Sequence, residues 1–181
     1  MILWFKKIKF EKIVQDNLDS LVQLAYMKCK NKELAEDLVQ EVCIKAYQSF
    51  LRKESNNEEL VNPKAWLFKI LINTHIDFVR KKQLETIEID SLDVEDKKDS
   101  IRSVETSLFF KDLNKALDKL DPNQRIVVYL ADINEYSYTE ISNLLDIPIG
   151  TVTSRLYRAR QALRKLLTES GYSKEYANVS E

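Results

Sequence analysis

The chain has 181 residues, with 28 basic and 29 acidic side chains and a net charge of −1. This balance argues against a polycation that coats nucleic acid through bulk charge, and an apolar fraction of 44% argues against a mostly disordered chain. With two glycines and three prolines, it has few tight turns for a hairpin-rich sandwich or barrel. The composition predicts an all-α protein, as one domain or as two small helical domains joined by a linker.

The chain offers few ligands for a metal and few cysteines for a disulfide framework. Cys29 and Cys43 are its two cysteines and His75 is its one histidine, so a zinc site would lack ligands. Unpaired thiols are typical of a reducing cytosol. The apolar residues 1–5 are followed by lysines and are too few for a signal peptide or a membrane span. We therefore expect a cytoplasmic protein with no cofactor, no metal and no catalytic residues.

Hydrophobic periodicity and helix-start signals predict seven helices. They lie near 11–30, 32–52, 63–83, 106–119, 122–134, 137–145 and 148–168. The prolines, Pro63, Pro122 and Pro148, each fall where a helix can begin, because the first turn of a helix does not use the N–H group that proline lacks.

Side-chain caps support three of these helix starts. Asn62 and Asp121 each place a side-chain oxygen directly before a proline. Gln124 gives Asp121 the spacing of a capping box, and Glu140 gives Ser137 the same spacing. The corresponding helices are expected to begin at these residues.

Charge divides the chain more sharply than its sum suggests. Residues 1–82 hold 15 basic and 11 acidic side chains, residues 83–107 hold 3 and 8, and residues 108–181 hold 10 of each. The middle stretch also lacks a helical apolar stripe. We expect a helical domain over 1–82, an acidic flexible linker over 83–107, a second helical domain over 108–170 and a tail over 171–181.

The helix near 33–51 has an apolar side and a polar, mostly acidic side. Its apolar stripe is expected to be core and consists of Ala35, Leu38, Val39, Val42, Cys43, Ala46, Tyr47 and Phe50. The opposite side consists of Glu36, Asp37, Gln40, Glu41 and Lys45. Taken alone, acids near the start of a helix usually complement its dipole on a solvated face.

The helix that begins near 63 is apolar on nearly every side and is predicted to be largely buried. Its apolar residues are Leu67, Phe68, Ile70, Leu71, Ile72, Phe78 and Val79. A narrow polar strip of Lys69, Asn73 and Arg80 is bordered by Asp77 and by Trp66. Trp66 is either a core anchor or a stacking surface, and we favour the core. The strip is either a solvent-facing edge with a helical ion pair or a nucleic-acid surface. In the second case Asn73 bonds a base edge, Lys69 and Arg80 hold phosphates, and Asp77 orients them.

Residues 137–168 have the pattern of a helix-turn-helix. A short helix with apolar Ile141, Leu144 and Leu145 meets a tight break at 146–150, and a longer helix follows. The longer helix has an apolar face of Val152, Leu156, Ala159 and Leu163, and an opposite polar face of Ser154, Arg158, Gln161 and Lys165, flanked by Arg155, Arg160 and Arg164. Residues 151–167 include five basic residues and no acidic one.

Such a helix can enter a major groove about 12 Å wide, where its arginines reach guanine edges or phosphates. The alternative is a solvated amphipathic helix whose arginines complement its C-terminal dipole. Because the short helix, the turn with Pro148 and Gly150 and the acid-free helix occur together, we favour contact with DNA. Tyr157 either stacks on the DNA backbone or packs within the protein.

Five segments resemble the bacterial extracytoplasmic-function (group 4) sigma factors of the sigma-70 family. Residues 120–125, 138–142 and 147–160, the last containing Gly-Thr-Val-Thr-Ser-Arg-Leu-Tyr-Arg-Ala-Arg, look like region 4 of that family. Residues 35–42 are similar to its region 2.2, and residues 62–82 to its regions 2.3–2.4. The resemblance covers about 17–82 and 108–167, with the motifs in the expected order.

The resemblance implies three binding surfaces. Recognition of the promoter −35 element is expected from Thr151, Thr153, Ser154, Arg155, Arg158, Gln161 and Lys165. Recognition of the −10 element is expected from Lys69, Asn73, Asp77 and Arg80, together with the loop residues Ser55, Asn56 and Asn57. Docking on the β′ clamp of core RNA polymerase is expected from Glu36, Asp37, Gln40 and Glu41.

Two parts of this assignment stand apart. In the family, the loop that corresponds to 52–61 receives an extruded −10 base. Unstacking a base costs a few kcal/mol, so the loop must supply a pocket whose contacts offset that cost. An ordinary polar surface loop would account for the composition of 52–61 equally well. Thr153 departs from the family pattern, which commonly has Lys or Arg there, so one phosphate or base contact is in doubt.

The resulting prediction is an alternative sigma factor. It binds core RNA polymerase through the β′ clamp and the β flap, directs it to promoter DNA and promotes melting, with the acidic linker running through the polymerase channel. The resemblance also implies a cognate anti-sigma factor, often membrane-anchored. The competing interpretations are a stand-alone helix-turn-helix regulator, which binds duplex DNA without polymerase, and a helical adaptor, which has no DNA dependence.

Overall fold

The computed structural model describes residues 2–86 and 115–169, with side chains from 4 to 81 in the first range. Every regular element in these two ranges is helical, and the chain divides into two units, Met1–Asp99 and Ser100–Glu181. This confirms the all-α prediction with two domains. Most of the predicted acidic linker, residues 106–114 of the helix predicted over 106–119, and the whole of the tail lie outside the described residues. None of the described helices is long and apolar enough to cross a membrane.

The first unit contains four helices: α1 (Ile2–Gln15), α2 (Leu18–Cys29), α3 (Lys32–Ser55) and α4 (Pro63–Thr86). The prediction of one helix over 11–30 was wrong, because the chain leaves the helix at Asn17, where φ is −122° and ψ is 1°. The Asn17 amide donates to the carbonyl of Ile13 over 2.8 Å, and such local side-chain bonds compete with helical continuation. Helix α1 therefore precedes α2 as a separate element.

Helices α2, α3 and α4 pack together and form the core of the first unit. The apolar stripe of α3 is buried as predicted, although Cys43 and Tyr47 on its edge are only half-buried. The prediction that α4 is largely buried holds for its first half and is wrong for the second. Phe78 and Val79 are 39% and 38% exposed. Helix α4 has 24 residues and α2 has 12, so α4 is longer than this packing partner.

The second unit begins its described part with helical residues 115–118. Helix α5 (Pro122–Val128), a π-helical stretch (Tyr129–Ile133), α6 (Tyr138–Leu145) and α7 (Ile149–Glu169) follow. The helix predicted over 122–134 is therefore α-helical up to residue 128 and π-helical from residue 129 to residue 133. Helix α7 packs on both α5 and α6, and the buried apolar residues of these elements form the core of the unit.

Arg125 is a buried cation within this apolar core, with 1% of its surface exposed. Its guanidinium donates to the carbonyls of Leu117, Asp118 and Leu120 over 2.8, 2.9 and 3.0 Å. These carbonyls lie at and just beyond the end of the 115–118 helix, where backbone oxygens lack helical partners. Arg125 therefore joins α5 to the preceding segment.

The caps are close to those that the sequence predicts. Asn62 accepts from the Ala65 N–H over 3.0 Å, and so caps α4. Asp121 caps α5 by accepting from the Asn123 N–H over 2.9 Å. This is a bond to the second helical residue, where the predicted capping box with Gln124 would have used the third.

Candidate nucleic-acid interface

The start of α6 is fixed by the predicted capping box. The Glu140 carboxylate accepts from the backbone N–H of Ser137 over 2.8 Å and from its hydroxyl over 2.7 Å. The Glu140 N–H donates back to the Ser137 hydroxyl over 3.3 Å. These bonds hold the pKa of the Glu140 carboxyl below its usual value. The box therefore sets where α6 begins.

The turn between α6 and α7 is shorter than the predicted break at 146–150. Asp146 adopts the left-handed conformation, with φ of 56°, and its N–H donates to the carbonyl of Ser142. The Ser142 hydroxyl donates to the carbonyl of Ile147 over 2.6 Å. Gly150 already belongs to α7, and a methyl group at its Cα would meet nothing within 4 Å. The positive φ of this turn thus falls on Asp146 and not on the glycine.

Helix α7 has the two faces that its periodicity predicts. Val152, Leu156, Ala159 and Leu163 are buried against the rest of the unit. The opposite side chains, Ser154, Arg158, Gln161 and Lys165, are all exposed. The helix-turn-helix therefore presents one polar strip that includes two cations and no carboxylate, which suits a surface of phosphates and base edges.

The remaining residues expected at the −35 element do not all lie on that strip. Thr151 and Arg155 border it and are half-buried. Thr153 is exposed but is displaced from Ser154 by about 100° around the helix, and its hydroxyl donates to the carbonyl of Ile149 over 3.0 Å. The Ser154 hydroxyl likewise donates to the carbonyl of Thr151 over 3.1 Å. Thr153 is therefore the least centrally placed of the set.

Arg160 flanks the strip in the sequence but is engaged elsewhere in the fold. Its guanidinium bonds both carboxylate oxygens of Asp132, over 2.5 and 3.3 Å, and the hydroxyl of Tyr138 over 3.3 Å. The bonds to Asp132 hold the pKa of Arg160 above its usual range. Arg160 thus joins α7 to the π-helical stretch and to the start of α6. A pair separated by 28 residues leaves no local signal in the sequence.

The polar strip of α4 is present on the surface of the first unit. Asn73, Asp77 and Arg80 are exposed, and Lys69 is half-buried. Their spacing of 4, 4 and 3 residues places them on one face of the helix. Trp66 is half-buried at the border of the strip, between the core position that the sequence favours and the exposed stacking surface that it leaves open.

The loop before α4 begins later than the sequence suggests, because α3 continues to Ser55. The Ser55 hydroxyl donates to the carbonyl of Leu51 over 2.8 Å. The Asn56 amide donates to Glu58 over 3.2 Å, and Lys53 pairs with the same carboxylate over 2.7 Å. Asn57 has a left-handed φ of 55°. Two of the three residues expected to receive a base already use their polar groups within the protein.

The acidic face of α3 is exposed over its predicted length: Glu36, Asp37, Gln40 and Glu41. Glu41 pairs with Lys45 over 2.9 Å, and both groups are well solvated, so this pair adds little stability. Ile44 lies on the same face and is 60% exposed. Ile44 is not among the site residues predicted from the sequence, although an aliphatic residue among the polar positions of the helix is the signal that could have indicated it.

A groove runs beside this acidic face. It is lined by Cys29, Leu34, Asp37, Leu38, Glu41 and Phe78. The exposed Phe78 ring from α4 and the acids from α3 give the groove an apolar wall and an acidic wall. The acidic face thus continues into a site that suits an amphipathic, basic partner segment.

Burial shifts the pKa values of the two cysteines and of the histidine in the first unit. Burial raises the pKa of the Cys29 and Cys43 thiols, which disfavours the reactive thiolate. His75 is half-buried, and its pKa is lowered by burial and by the charge of Lys28. Within 2–86 and 115–169, no group of three or more His, Cys, Asp or Glu side chains is placed to hold a metal ion.

Comparison with known families gives two matches that follow the two units. The model of sigma-70 region 2 matches residues 13–85, and that of sigma-70, region 4 matches residues 110–163. The first match contains α2, α3 and nearly all of α4. The second contains α5, α6 and most of α7.

Individual relatives agree with these matches. The chain is 33% identical to the ECF RNA polymerase sigma factor SigW of Bacillus subtilis, over 88% of this chain and 89% of that protein. It is 33% identical to SigE, an ECF RNA polymerase sigma factor of Mycolicibacterium smegmatis, but spans 62% of that longer protein. The sigma factor RpoE of Bartonella quintana, solved in complex with the anti-sigma factor NepR, is similar with a TM-score of 0.73 and 32% identity, over 88% of this chain and 97% of that one. The chain therefore belongs to the ECF RNA polymerase sigma factors of the sigma-70 family.

Proposed function

We propose that this protein directs core RNA polymerase to a class of promoters, with α7 reading the −35 element and the α4 strip reading the −10 element. The observation that carries the proposal is the exposed strip of α7. It is held outward by the capping box, the left-handed turn at Asp146 and the bonds of Arg160. The membership of this chain in the ECF sigma factor family does not support the alternative of a stand-alone regulator, which the sequence left open.

Charge argues for weak binding to DNA by the free protein. The net charge of the chain is −1, and Arg158 and Lys165 are the cations on the exposed strip. Each phosphate that a cation neutralises releases counterions and contributes to binding, so few contacts give low affinity at physiological salt. Core polymerase would complete the interaction by holding both promoter-reading surfaces on the same duplex.

The acidic face of α3 is the proposed docking surface for the β′ clamp. Glu36, Asp37, Gln40 and Glu41 supply hydrogen-bond acceptors and negative charge, which steer a basic partner and fix its register. Ile44 and Phe78 supply exposed apolar surface beside them, and buried apolar contacts usually dominate the affinity of such interfaces. The β flap would engage the second unit.

No catalytic residue is needed for this role. Free energy from binding the −10 bases offsets the cost of unstacking them, and polymerase carries out the chemistry. We further propose that residues 83–107 tether the two units within the polymerase channel. Limited proteolysis tests this point: cleavage within 83–107 should become slower when core is added, and unchanged cleavage would contradict it.

An anti-sigma factor is the proposed regulator. The similar sigma factor of Bartonella quintana was solved with one, and the groove beside α3 offers this chain a surface for a partner of that kind. Such a partner, soluble or membrane-anchored, would hold the protein inactive in the cytoplasm by covering the clamp-binding face.

A promoter-binding assay tests the proposed function. Fluorescently labelled promoter fragments are titrated with the protein alone, with core polymerase alone and with both. We expect specific, salt-sensitive binding only when both are present. If the protein alone bound promoter fragments tightly and specifically, the result would favour a stand-alone regulator. If core polymerase bound the fragments equally with and without the protein, the result would favour an adaptor.

A further inference from the structure

Helix α1 lies almost entirely outside the region 2 match, which begins at residue 13. It is nevertheless fixed on the first unit. The Phe10 ring is buried and packs on Tyr47 and Phe50, with ring centroids 5.1 and 5.5 Å apart. The Lys9 ammonium pairs with Glu54 over 2.6 Å. One side of α1 is therefore docked on α3, and the opposite side faces solvent.

That opposite side is apolar. Trp4 is 60% exposed, Phe5 is 59% exposed and Ile8 is 43% exposed. The Trp4 and Phe5 rings meet edge to face, with centroids 5.2 Å apart. Trp4 and Ile8 are four residues apart and share a face of the helix. Two aromatic rings and an aliphatic side chain within two turns form a contiguous apolar patch, which usually marks a site of interaction.

The helix that carries the patch is basic. Helix α1 contains Lys6, Lys7, Lys9 and Lys12, against Glu11 as its one acid. Lys7 pairs with Glu11 at 3.7 Å, where both groups are more than half exposed, so water screens the pair and leaves the lysine available. Lys12 is exposed and falls on the same side as Phe5 and Ile8. The occupant of this surface should therefore be both apolar and negatively charged.

We propose that α1 binds the surface of an anionic lipid bilayer. The helix presents an indole and a phenyl ring, which favour the boundary between lipid headgroups and acyl chains, and its exposed lysines match lipid phosphates. With 14 residues α1 is too short to span a bilayer, so it lies in the interface. This surface lies outside the surfaces proposed above for the promoter and the polymerase, so the proposal stands apart from the proposed function.

Vesicle co-sedimentation of the full chain tests this proposal. We expect binding to phosphatidylcholine vesicles that contain phosphatidylglycerol, and at least roughly tenfold weaker binding to phosphatidylcholine alone. The double variant Trp4→Ser/Phe5→Ser should lose at least roughly tenfold in partitioning, and Lys12→Glu should weaken binding to the anionic vesicles only. Leu18→Ser, which changes a 40% exposed apolar side chain on α2, is the matched control and should bind as the unaltered protein does.

Circular dichroism of each variant verifies the fold, since the changed side chains are solvent-exposed. Equal sedimentation with both vesicle types, or equal sedimentation of the double variant and the unaltered protein, would overturn the proposal. So would a dimer in light scattering that the double variant abolishes while neither protein binds vesicles, because that result would assign the patch to a second copy of the chain.

Discussion

The two units position their proposed binding surfaces in different ways. In the second unit the ends of α6 are fixed by local bonds, the Ser137–Glu140 capping box and the left-handed Asp146, and the bond of Arg160 to Asp132 adds one long-range contact to α7. In the first unit the surfaces lie along the long helices α3 and α4, which are placed by packing with α2. The position of the α7 strip thus depends on bonds at the helix ends, whereas the positions of the α3 and α4 surfaces depend on the packing of a shared core.

This difference explains why the second unit is read more completely from its sequence. A capping box and a helix-turn-helix spacing are encoded within a few residues, so they can be recognised along the chain. The exposure of Phe78 and Val79 depends on where α4 extends past α2, which no local pattern specifies. A substitution in one unit should therefore alter the stability or the binding surface of that unit and leave the other unit unaffected.

The largest expected effect comes from Arg125→Met, which removes the donor for three backbone carbonyls in the second unit. Unsatisfied buried carbonyls should lower the free energy of unfolding of that unit by about 3 kcal/mol. Trp4 and Trp66 both lie in the first unit, so tryptophan fluorescence should report an unchanged denaturant midpoint, while part of the circular dichroism signal should be lost at lower denaturant. Coincident shifts of both signals would show that the units are not independent.

Arg158→Ala tests whether the α7 strip contacts DNA. Promoter affinity of the holoenzyme should fall by roughly 1–3 kcal/mol, and the slope of log affinity against log salt should decrease by about 1. Arg158→Lys separates two contacts, because lysine replaces a phosphate contact but not a bidentate bond to guanine. Lys119→Ala, an exposed cation of the same unit outside α7, is the control. An unchanged salt slope in Arg158→Ala would place this residue off the DNA.

Asp37→Ala tests the acidic face of α3 in the same manner. Affinity for core polymerase should fall about tenfold, or about 1.4 kcal/mol, with no change in circular dichroism. Asp19→Ala, an exposed acid on α2, should assemble normally with core. Ile44→Ala should weaken assembly too if the exposed side chain is an apolar anchor of the interface. If the Asp37→Ala and Asp19→Ala variants bound core polymerase with equal affinity, the acidic face of α3 would be an ordinary solvated face and not a docking surface.

Gly150→Ala distinguishes a structural from a recognition role at the start of α7. A methyl group there meets no protein atom within 4 Å, so the substitution should stabilise the second unit by about 0.4–1 kcal/mol. If DNA approaches this helix end closely, promoter affinity should decrease despite the added stability. Thermal denaturation and promoter titration of the same preparation measure both. Loss of stability would contradict the open space seen in the fold.

His75 should produce the smallest effect, and only in the first unit. Burial and Lys28 lower its pKa in the folded state, so protons bind more tightly to the unfolded chain. Its contribution to stability is full above the unfolded pKa of about 6.5 and is lost as the pH falls from there through the lower pKa of the folded state. Fluorescence-detected unfolding near pH 7.5 and near pH 5.5 should show a smaller decrease for His75→Gln than for the unaltered protein. Equal decreases would assign the pH dependence to other groups.

The sequence predicted the helical class, the two units, most helix boundaries and both faces of α7, because these follow from periodicity and capping. It did not predict the break at Asn17, which depends on one side chain bonding back to Ile13. It placed Phe78 and Val79 in the core, since periodicity cannot show where a long helix outlasts its neighbour. It also assigned Arg160 to the flank of the DNA face, because a partner 28 residues away is invisible along the chain.

Run-off transcription tests the central claim most directly. Purified core polymerase is supplied with a library of genomic promoter fragments, with and without this protein. We predict that the protein stimulates initiation from a subset of these promoters, that Asp37→Ala reduces stimulation through weaker assembly, and that Arg158→Ala reduces it with assembly intact. Absence of stimulation from every promoter in the library would contradict the assignment of this chain as a working sigma factor.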